Sequence, residues 1–290
     1  MDIRLGEPDS TGPSTVDAHH HLWDPAVRTY AWMDESVAPI VRRFDARDLA
    51  AASARTPVTK SVVVQATPDI EETHDLLDIS SWQNMVAGVV GWIDLTQNDA
   101  ADTLVGLKAR PGQLVGIRHQ VQDESDPAWL LRDDVLRGLK AVQDAGLVFE
   151  LLMGRREAAA AIRLAELLPD LPLILDHAGK PSIHSGEGDS WRDWITRLAS
   201  HEQVTCKLSG LVTQASWATW RSQPVESYAL AVLDTFGAER ALFGSDWPVC
   251  LLAASYDEVF ELAARAASTL SMTERSALFG GTAARVYGLA

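Results

Sequence analysis

Eight short apolar runs, each followed by a longer amphipathic stretch, set the strongest limit on how this chain can fold. The runs are TVDAHHHLW, KSVVVQAT, MVAGVVGWIDL, LVGIRHQV, GLVFELLM, LPLILDHAG, VTCKLSGL and RALFGSDWP. Most are near-continuous Val, Ile and Leu, the pattern of parallel strands covered on both faces. Between them lie helical patterns such as DARDLAAASART, DPAWLLRDDVLRGLKAVQDAG, GRREAAAAIRLAELLP and SYALAVLDTFG. SDPAWLL reads as a helix start, with Asp126 or Ser125 as cap and Pro127 in the first turn. Gly146 is placed to stop that helix before the next strand. Eight such units in 290 residues predict an α/β fold, a single (β/α)8 TIM barrel. A doubly wound open sheet is the alternative. It is disfavoured because no Gly-rich phosphate loop follows an early strand.

No linker or charge block divides the chain, so one barrel domain is expected over residues 16–290. Residues 1–15 read as a disordered or extended lead containing Gly and Pro, without the layout of a secretory signal. Apolar residues make up 47% of the chain, enough for a large core. No run reaches the roughly 18–20 apolar residues of a membrane span. The two cysteines, Cys206 and Cys250, lie far apart, which predicts a cytoplasmic protein without a disulfide framework. Acidic residues outnumber basic ones by 40 to 25, a formal charge of −15. That balance argues against nucleic acid or an anionic membrane as partner. A small molecule is the expected ligand, and the expected state is a monomer or small homo-oligomer.

In a barrel the C-terminal strand ends carry the chemistry, and polar residues gather there. Strand one ends in His19, His20 and His21, strand two in Gln65, strand three in Asp94. Strand four brings Arg118 and His119, and strand six Asp176, His177 and Lys180. Strand seven brings Lys207 and Ser209, and strand eight Ser245, Asp246 and Trp247. Side chains alternate along a strand, so Asp17, His19 and His21 should share one face and His20 the other. The α-carbons of His19 and His21 should then lie about 7 Å apart, close enough for both imidazoles to reach one metal ion or one substrate oxygen. His20 should sit under a helix. Plainer readings make Asp246 a loop cap, His177 a structural residue and Lys180 and Lys207 solvated cations. Convergence of so many polar strand ends favours a shared pocket. Trp32 and Trp247, near the presumed site loops, are candidates to floor a sugar ring. His74, His184 and His201 should lie at the surface.

There is no Gly-x-Ser-x-Gly elbow and no cysteine beside a histidine, which disfavours covalent catalysis. Histidines, an aspartate and Arg and Lys cations suit activation of water and polarisation of a carbonyl, with or without an ion.

The stretches DAHHHLWD, VVGWIDL, LVGIRHQVQDE, LILDHAGKP, CKLSGLVTQASW, FGSDWPVCLLAASY and FGGTAARVYGL together resemble the amidohydrolase superfamily. The likeness is to its metal-optional branch of sugar and aromatic lactonases, with L-fuconolactonases nearest. It runs from about residue 16 to the end. The resemblance implies that His19, His21 and His177 hold the carbonyl of a sugar lactone while Asp246 acts as general base on water. It also implies a metal-holding form in which His19, His21 and Asp246 become ligands of one divalent ion such as zinc. Metal-dependent relatives add a His, Glu or carboxylated Lys from strand four or five. Here strand five offers only Glu150, so no cofactor is expected to be required. Thr282 stands where relatives often carry asparagine, a change expected to affect capping rather than chemistry. Arg118 and Lys207 are expected to bind substrate hydroxyls or a carboxylate. Competing readings are a metal-dependent decarboxylase or amide hydrolase, which should hold zinc or manganese tightly, and a non-catalytic sugar binder, which has no need of a base beside carbonyl-polarising groups.

Overall fold

The computed structural model describes residues 14–289. The expected lead therefore lies almost wholly outside the described residues, and the first strand already begins at Thr15. Eight strands form one parallel sheet in sequence order. They are β1 (Thr15–His20), β2 (Val58–Val64), β3 (Val86–Gly91), β4 (Leu114–His119), β5 (Val148–Leu151), β6 (Leu173–Leu175), β7 (Val204–Leu208) and β8 (Ala241–Phe243). The sheet closes on itself through the segment just after β8. His20 pairs in parallel with Trp247, the Asp246 amide donates to the His19 carbonyl at 2.8 Å, and the His21 amide donates to the Trp247 carbonyl at 2.7 Å. Barrel closure and the candidate catalytic residues thus share the same backbone. The barrel predicted from the eight runs is the fold observed.

Val16, Ala18, Val62, Val64, Val90, Val115, Val148, Ile174 and Leu242 pack together inside the barrel, joined by Ala283 and Tyr287 of the last helix, Thr282–Tyr287. The opposite faces of the strands, such as Val63, Val89, Ile117, Phe149 and Cys206, join the larger core under the helices. Both strand faces are apolar because both are covered.

Helices follow the strands as the amphipathic stretches predict. Ala46–Ser53 opens with a capping box between Asp45 and Asp48. Ala158–Leu167 and Val225–Phe236 match their expected segments. The helix expected from Asp126 instead spans Asp133–Asp144. The Asp126 carboxylate accepts from the Ala128 amide at 2.8 Å, and only a short 3-10 turn, Trp129–Leu131, follows. The Asx-type bond satisfies the local amide without committing the backbone to a helix. At the far end Gly146 takes φ +68°, the left-handed stop expected of it. Cys206 and Cys250 are buried free thiols. Among the described residues no helix is long and apolar enough to cross a membrane.

One irregularity decides the site. Asp17 pairs with Ser61 and His20 with Val63, so β1 places an extra residue against β2 between these points. This bulge breaks the alternation. Val16 and Ala18 face the interior, while Asp17 turns the other way. Its carboxylate accepts from Ser245 Oγ at 2.6 Å, the Ser245 amide at 2.9 Å and Tyr256 OH at 2.9 Å. The expectation that Asp17 shares a face with His19 and His21 is therefore wrong. Asp17 ties β1 to the segment after β8.

Candidate active site

A cavity of about 190 Å³ opens at the C-terminal ends of the strands. Its floor holds His21, His177 and Asp246. His19 lies immediately behind them and is fully buried. His19 Nε2 and His21 Nε2 are 3.2 Å apart. Asp246 Oδ1 is 3.8 Å from His19 Nε2, 3.7 Å from His21 Nε2 and 3.9 Å from His177 Nε2. Each of these three distances is too long for a direct hydrogen bond, and each is short enough for one oxygen atom or ion to bridge. His20 points away, as alternation past the bulge requires, and its Nε2 meets Ser61 Oγ at 3.0 Å.

The local backbone aims these groups. His177 and Asp246 adopt φ +52° and +56°, left-handed conformations uncommon for residues with a side chain. The His177 ring lies against Gly210, itself at φ +64°, where an added Cβ would stand 2.6 Å from His177 Nδ1. Glycine there leaves room for the ring, whose Nδ1 meets Ser209 Oγ at 3.0 Å. His21 Nδ1 donates to the Val64 carbonyl at 2.7 Å, which leaves Nε2 as a lone pair facing the site.

Below the histidines lies a buried layer of charge. Lys207 Nζ is 2.6 Å from Glu150 Oε2, 3.0 Å from His19 Nδ1 and 3.2 Å from Asp176 Oδ1. Arg118 Nη1 donates to Asp176 Oδ2 at 3.2 Å, and Tyr287 OH donates to Glu150. Burial raises the Asp176 pKa, but Lys207, His19 and Arg118 outweigh it and hold the carboxyl well below its ordinary value. Burial lowers His21 to about 3 and His177 to about 4, and takes His19 well below its ordinary value. The imidazoles are therefore neutral near pH 7. Burial raises Asp246, with His177, Arg118 and Lys180 pulling it partly back.

The structure sorts the residues expected to bind substrate. Arg118 lines the cavity, and so does Trp32, whose Nε1 donates to the Ala66 carbonyl at 2.8 Å. Lys207 does not, being fully buried beneath His19 among carboxylates. Gln65 is also fully buried, its amide exchanging bonds with Gln120 at 3.1 and 3.3 Å. Trp247 packs edge-on against Phe44 at 5.2 Å instead of flooring the cavity. His119 faces the helix layer, stacked on Trp129 at 4.1 Å and bonded to Glu124 at 2.7 Å. Asp94 accepts from Thr96 and Gln97 as a loop cap. Gln120, Gln122 and Lys180, to which sequence reasoning gave no role, line the cavity, and Lys180 Nζ donates to Gln122 Oε1 at 2.7 Å. Gln120 follows the end of β4 at the parity of Arg118, whereas Gln122 lies in the 3-10 turn Val121–Asp123, where strand alternation gives no signal.

The donor set fits a divalent ion. His19, His21 and Asp246 each offer an atom within 4.8 Å of the others. Ligand atoms about 2.0–2.2 Å from a tetrahedral zinc stand about 3.4 Å apart, close to the 3.2–3.8 Å seen here. Glu150 is not available to such an ion, because Lys207 and Tyr287 occupy its carboxylate.

Comparison with known proteins shows what the chain is similar to. The family described as Amidohydrolase matches residues 16–289. An L-fucono-1,5-lactonase of Burkholderia multivorans is 38% identical, covering 96% of this chain and 97% of its own. An L-fucono-1,5-lactonase of Burkholderia ambifaria is also 38% identical, with 94% of each chain covered. A crystal structure of an amidohydrolase from Burkholderia multivorans with bound zinc superposes with a TM-score of 0.90 at 38% identity, covering 96% of this chain and all of that one.

Proposed function

The chain belongs to the amidohydrolase family, and from that premise we propose that it hydrolyses a sugar lactone of the L-fucono-1,5-lactone kind. The observation that carries the reading is the gap between Asp246 Oδ1 and three imidazole Nε2 atoms, 3.7–3.9 Å on each side. A carboxylate facing the His19 and His177 donors across the width of one oxygen, with His21 Nε2 beside it as an acceptor, suits attack of water on an activated ester. Asp246 takes a proton from water as the water oxygen bonds to the lactone carbon. His177 Nε2 and His19 Nε2 polarise the carbonyl oxygen as neutral donors. The tetrahedral carbon then expels the ring oxygen, which leaves as a hydroxyl with the proton held by Asp246. The product is a hydroxy acid that ionises and releases one proton to solvent.

Burial supports Asp246 as base. Its pKa is raised, which strengthens it as an acceptor, yet His177, Arg118 and Lys180 keep the charged form accessible. Arg118, Gln120, Gln122 and Lys180 line the cavity with donors suited to sugar hydroxyls, and Trp32 offers a ring face at the rim. A divalent ion bound by His19, His21 and Asp246 would supply Lewis-acid polarisation of the carbonyl. The residues around it would still orient the sugar, and we propose that turnover does not require it.

A panel of sugar and aromatic lactones, read by pH-indicator acid release, tests the reading. Release is expected with L-fucono-1,5-lactone or a close L-sugar lactone. No release from any lactone, with turnover of carboxylates or amides only by metal-loaded protein, refutes it.

A further inference from the structure

Two buried groups contest one nitrogen. His19 Nδ1 lies 3.0 Å from Lys207 Nζ and 3.4 Å from Asp176 Oδ1. Lys207 carries only donors, and Glu150 Oε2 and Asp176 Oδ1 stand beside it as acceptors. It hydrogen-bonds Glu150 Oε2 and His19 Nδ1, while Asp176 Oδ1 at 3.2 Å meets its charge without a directed bond, so His19 Nδ1 must accept. On the other side of the ring, His21 Nε2 must also accept, because His21 Nδ1 gives its hydrogen to the Val64 carbonyl. The 3.2 Å contact between the two Nε2 atoms is then a hydrogen bond only if His19 carries its hydrogen on Nε2. Lys207 on one side of the ring and His21 on the other demand the same tautomer. Arg118 Nη1 gives one of its two hydrogens to Asp176 Oδ2 at 3.2 Å, and its other is the competing claim on His19 Nε2, at 3.4 Å a longer contact than that to His21.

Asp176 Oδ1 has no directed hydrogen bond although it is wholly buried. Such an orphan is costly unless another state uses it. A hydrogen on His19 Nδ1 would point toward it. That is the tautomer His19 needs if Nε2 is to bind an ion, since a ligating imidazole donates its other N–H to a carboxylate or carbonyl.

We propose that Lys207 is a positioning residue that keeps the His19 hydrogen on Nε2, directed at the reacting groups, and that Asp176 is the alternative partner that receives it on Nδ1 when a divalent ion takes Nε2. Lys207 and Asp176 together set the balance between a hydrogen-bonding site and a metal-holding one. The proposal rests on the reading of His19, His21 and Asp246 as the site.

Ring-15N histidine NMR of the metal-free protein tests it directly, with the His19 signals assigned by their loss in His19→Gln. A one-bond N–H on Nε2 and an unprotonated Nδ1 are expected. A hydrogen on Nδ1 overturns the proposal. The second test is the double variant Lys207→Met with Glu150→Gln, which removes both charges at similar volume. Its His19 should move to the Nδ1–H form, and zinc titrated by calorimetry should bind roughly 10–100-fold more tightly than to the wild type, the range for changes in partners of metal ligands. An unchanged tautomer or unchanged zinc affinity in the folded variant overturns the proposal. If that variant does not fold, the wild-type spectrum decides. Neither readout uses turnover, so failure of the lactone panel leaves this test intact, and failure here leaves the lactonase reading standing.

Discussion

His20 offers a clean measurement of the strand-one geometry. It is fully buried on the helix side of β1, bonded through Nε2 to Ser61, with Nδ1 unpartnered. Burial is the main reason its pKa falls from 6.5 to about 3. The sign of the linkage follows. Below pH 6.5 the unfolded chain binds a proton at this residue, and the folded chain does not until about pH 3. Stability is therefore full above 6.5 and is lost as pH falls from 6.5 toward 3. Between pH 7 and 5 the loss integrates to about 2 kcal/mol for this one residue. The figure depends little on the folded value, since both pH values lie well above it. His20→Gln keeps an amide near the Nε2 position for Ser61 and does not titrate. Urea midpoints for both proteins at pH 7 and pH 5 give a double difference in which the other titrating groups cancel. The wild type should lose about 2 kcal/mol more than the variant over that interval, while kcat changes far less than for Asp246→Asn. Equal losses in the two proteins would mean that His20 takes up its proton in the folded state, and the burial argument for HHH would fail.

Asp246→Asn should fold normally, because asparagine tolerates the left-handed backbone at φ +56°, yet kcat should fall roughly 10²–10⁴-fold; a loss under about tenfold would remove Asp246 as base. The kcat/KM profile should lose activity as pH falls, with a midpoint above 3.8, because burial raises Asp246 and the base form lies above its pKa; a midpoint at or below 3.8 contradicts the assignment. Exhaustive chelation should leave most lactone turnover in place, and total loss restored by zinc or manganese would make the ion obligatory. Arg118→Met should raise KM roughly 10–100-fold, the worth of a charged hydrogen bond, whereas His119→Gln should leave KM unchanged; equal effects would mean that the cavity lining is misassigned.

Adjacent polar residues mark the limit of what the sequence disclosed. Eight apolar runs were enough for the barrel, because parallel strands buried on both faces must be apolar throughout. The same uniformity hides register, since a run such as SVVV looks alike from either side. Arg118 and His119 were both expected in the pocket, although neighbours on a strand face opposite ways. Arg118 reaches the cavity, and His119 stacks on Trp129 in the helix layer. Parity applied to β4 would have chosen Arg118 over His119, but not Gln122, which lies in the 3-10 turn Val121–Asp123 beyond the strand. Parity applied to β1 succeeds for His19, His20 and His21 but fails for Asp17, because the bulge adds a residue between them. A bulge is a property of two strands in register, so a single strand's composition does not disclose it.

Lys207 shows the same limit in charge. A lysine at a strand end reads as a substrate ligand or a solvated cation. Here it is enclosed by Glu150, Asp176 and His19, residues 57, 31 and 188 positions away. A buried ammonium is stable only with such partners, and only closure of the barrel brings them together. His19 and Glu150 come from the first and fifth strands and Asp176 from the turn after the sixth, and no local pattern links them. His19, His21, His177 and Asp246 could be read from strand ends because they follow the apolar runs of the first, sixth and eighth strands. The layer that holds them depends on contacts across the barrel axis. Removing Lys207 alone would leave two buried carboxylates facing each other. For that reason the paired exchange with Glu150, rather than the single one, separates the orientation of His19 from the stability of the barrel.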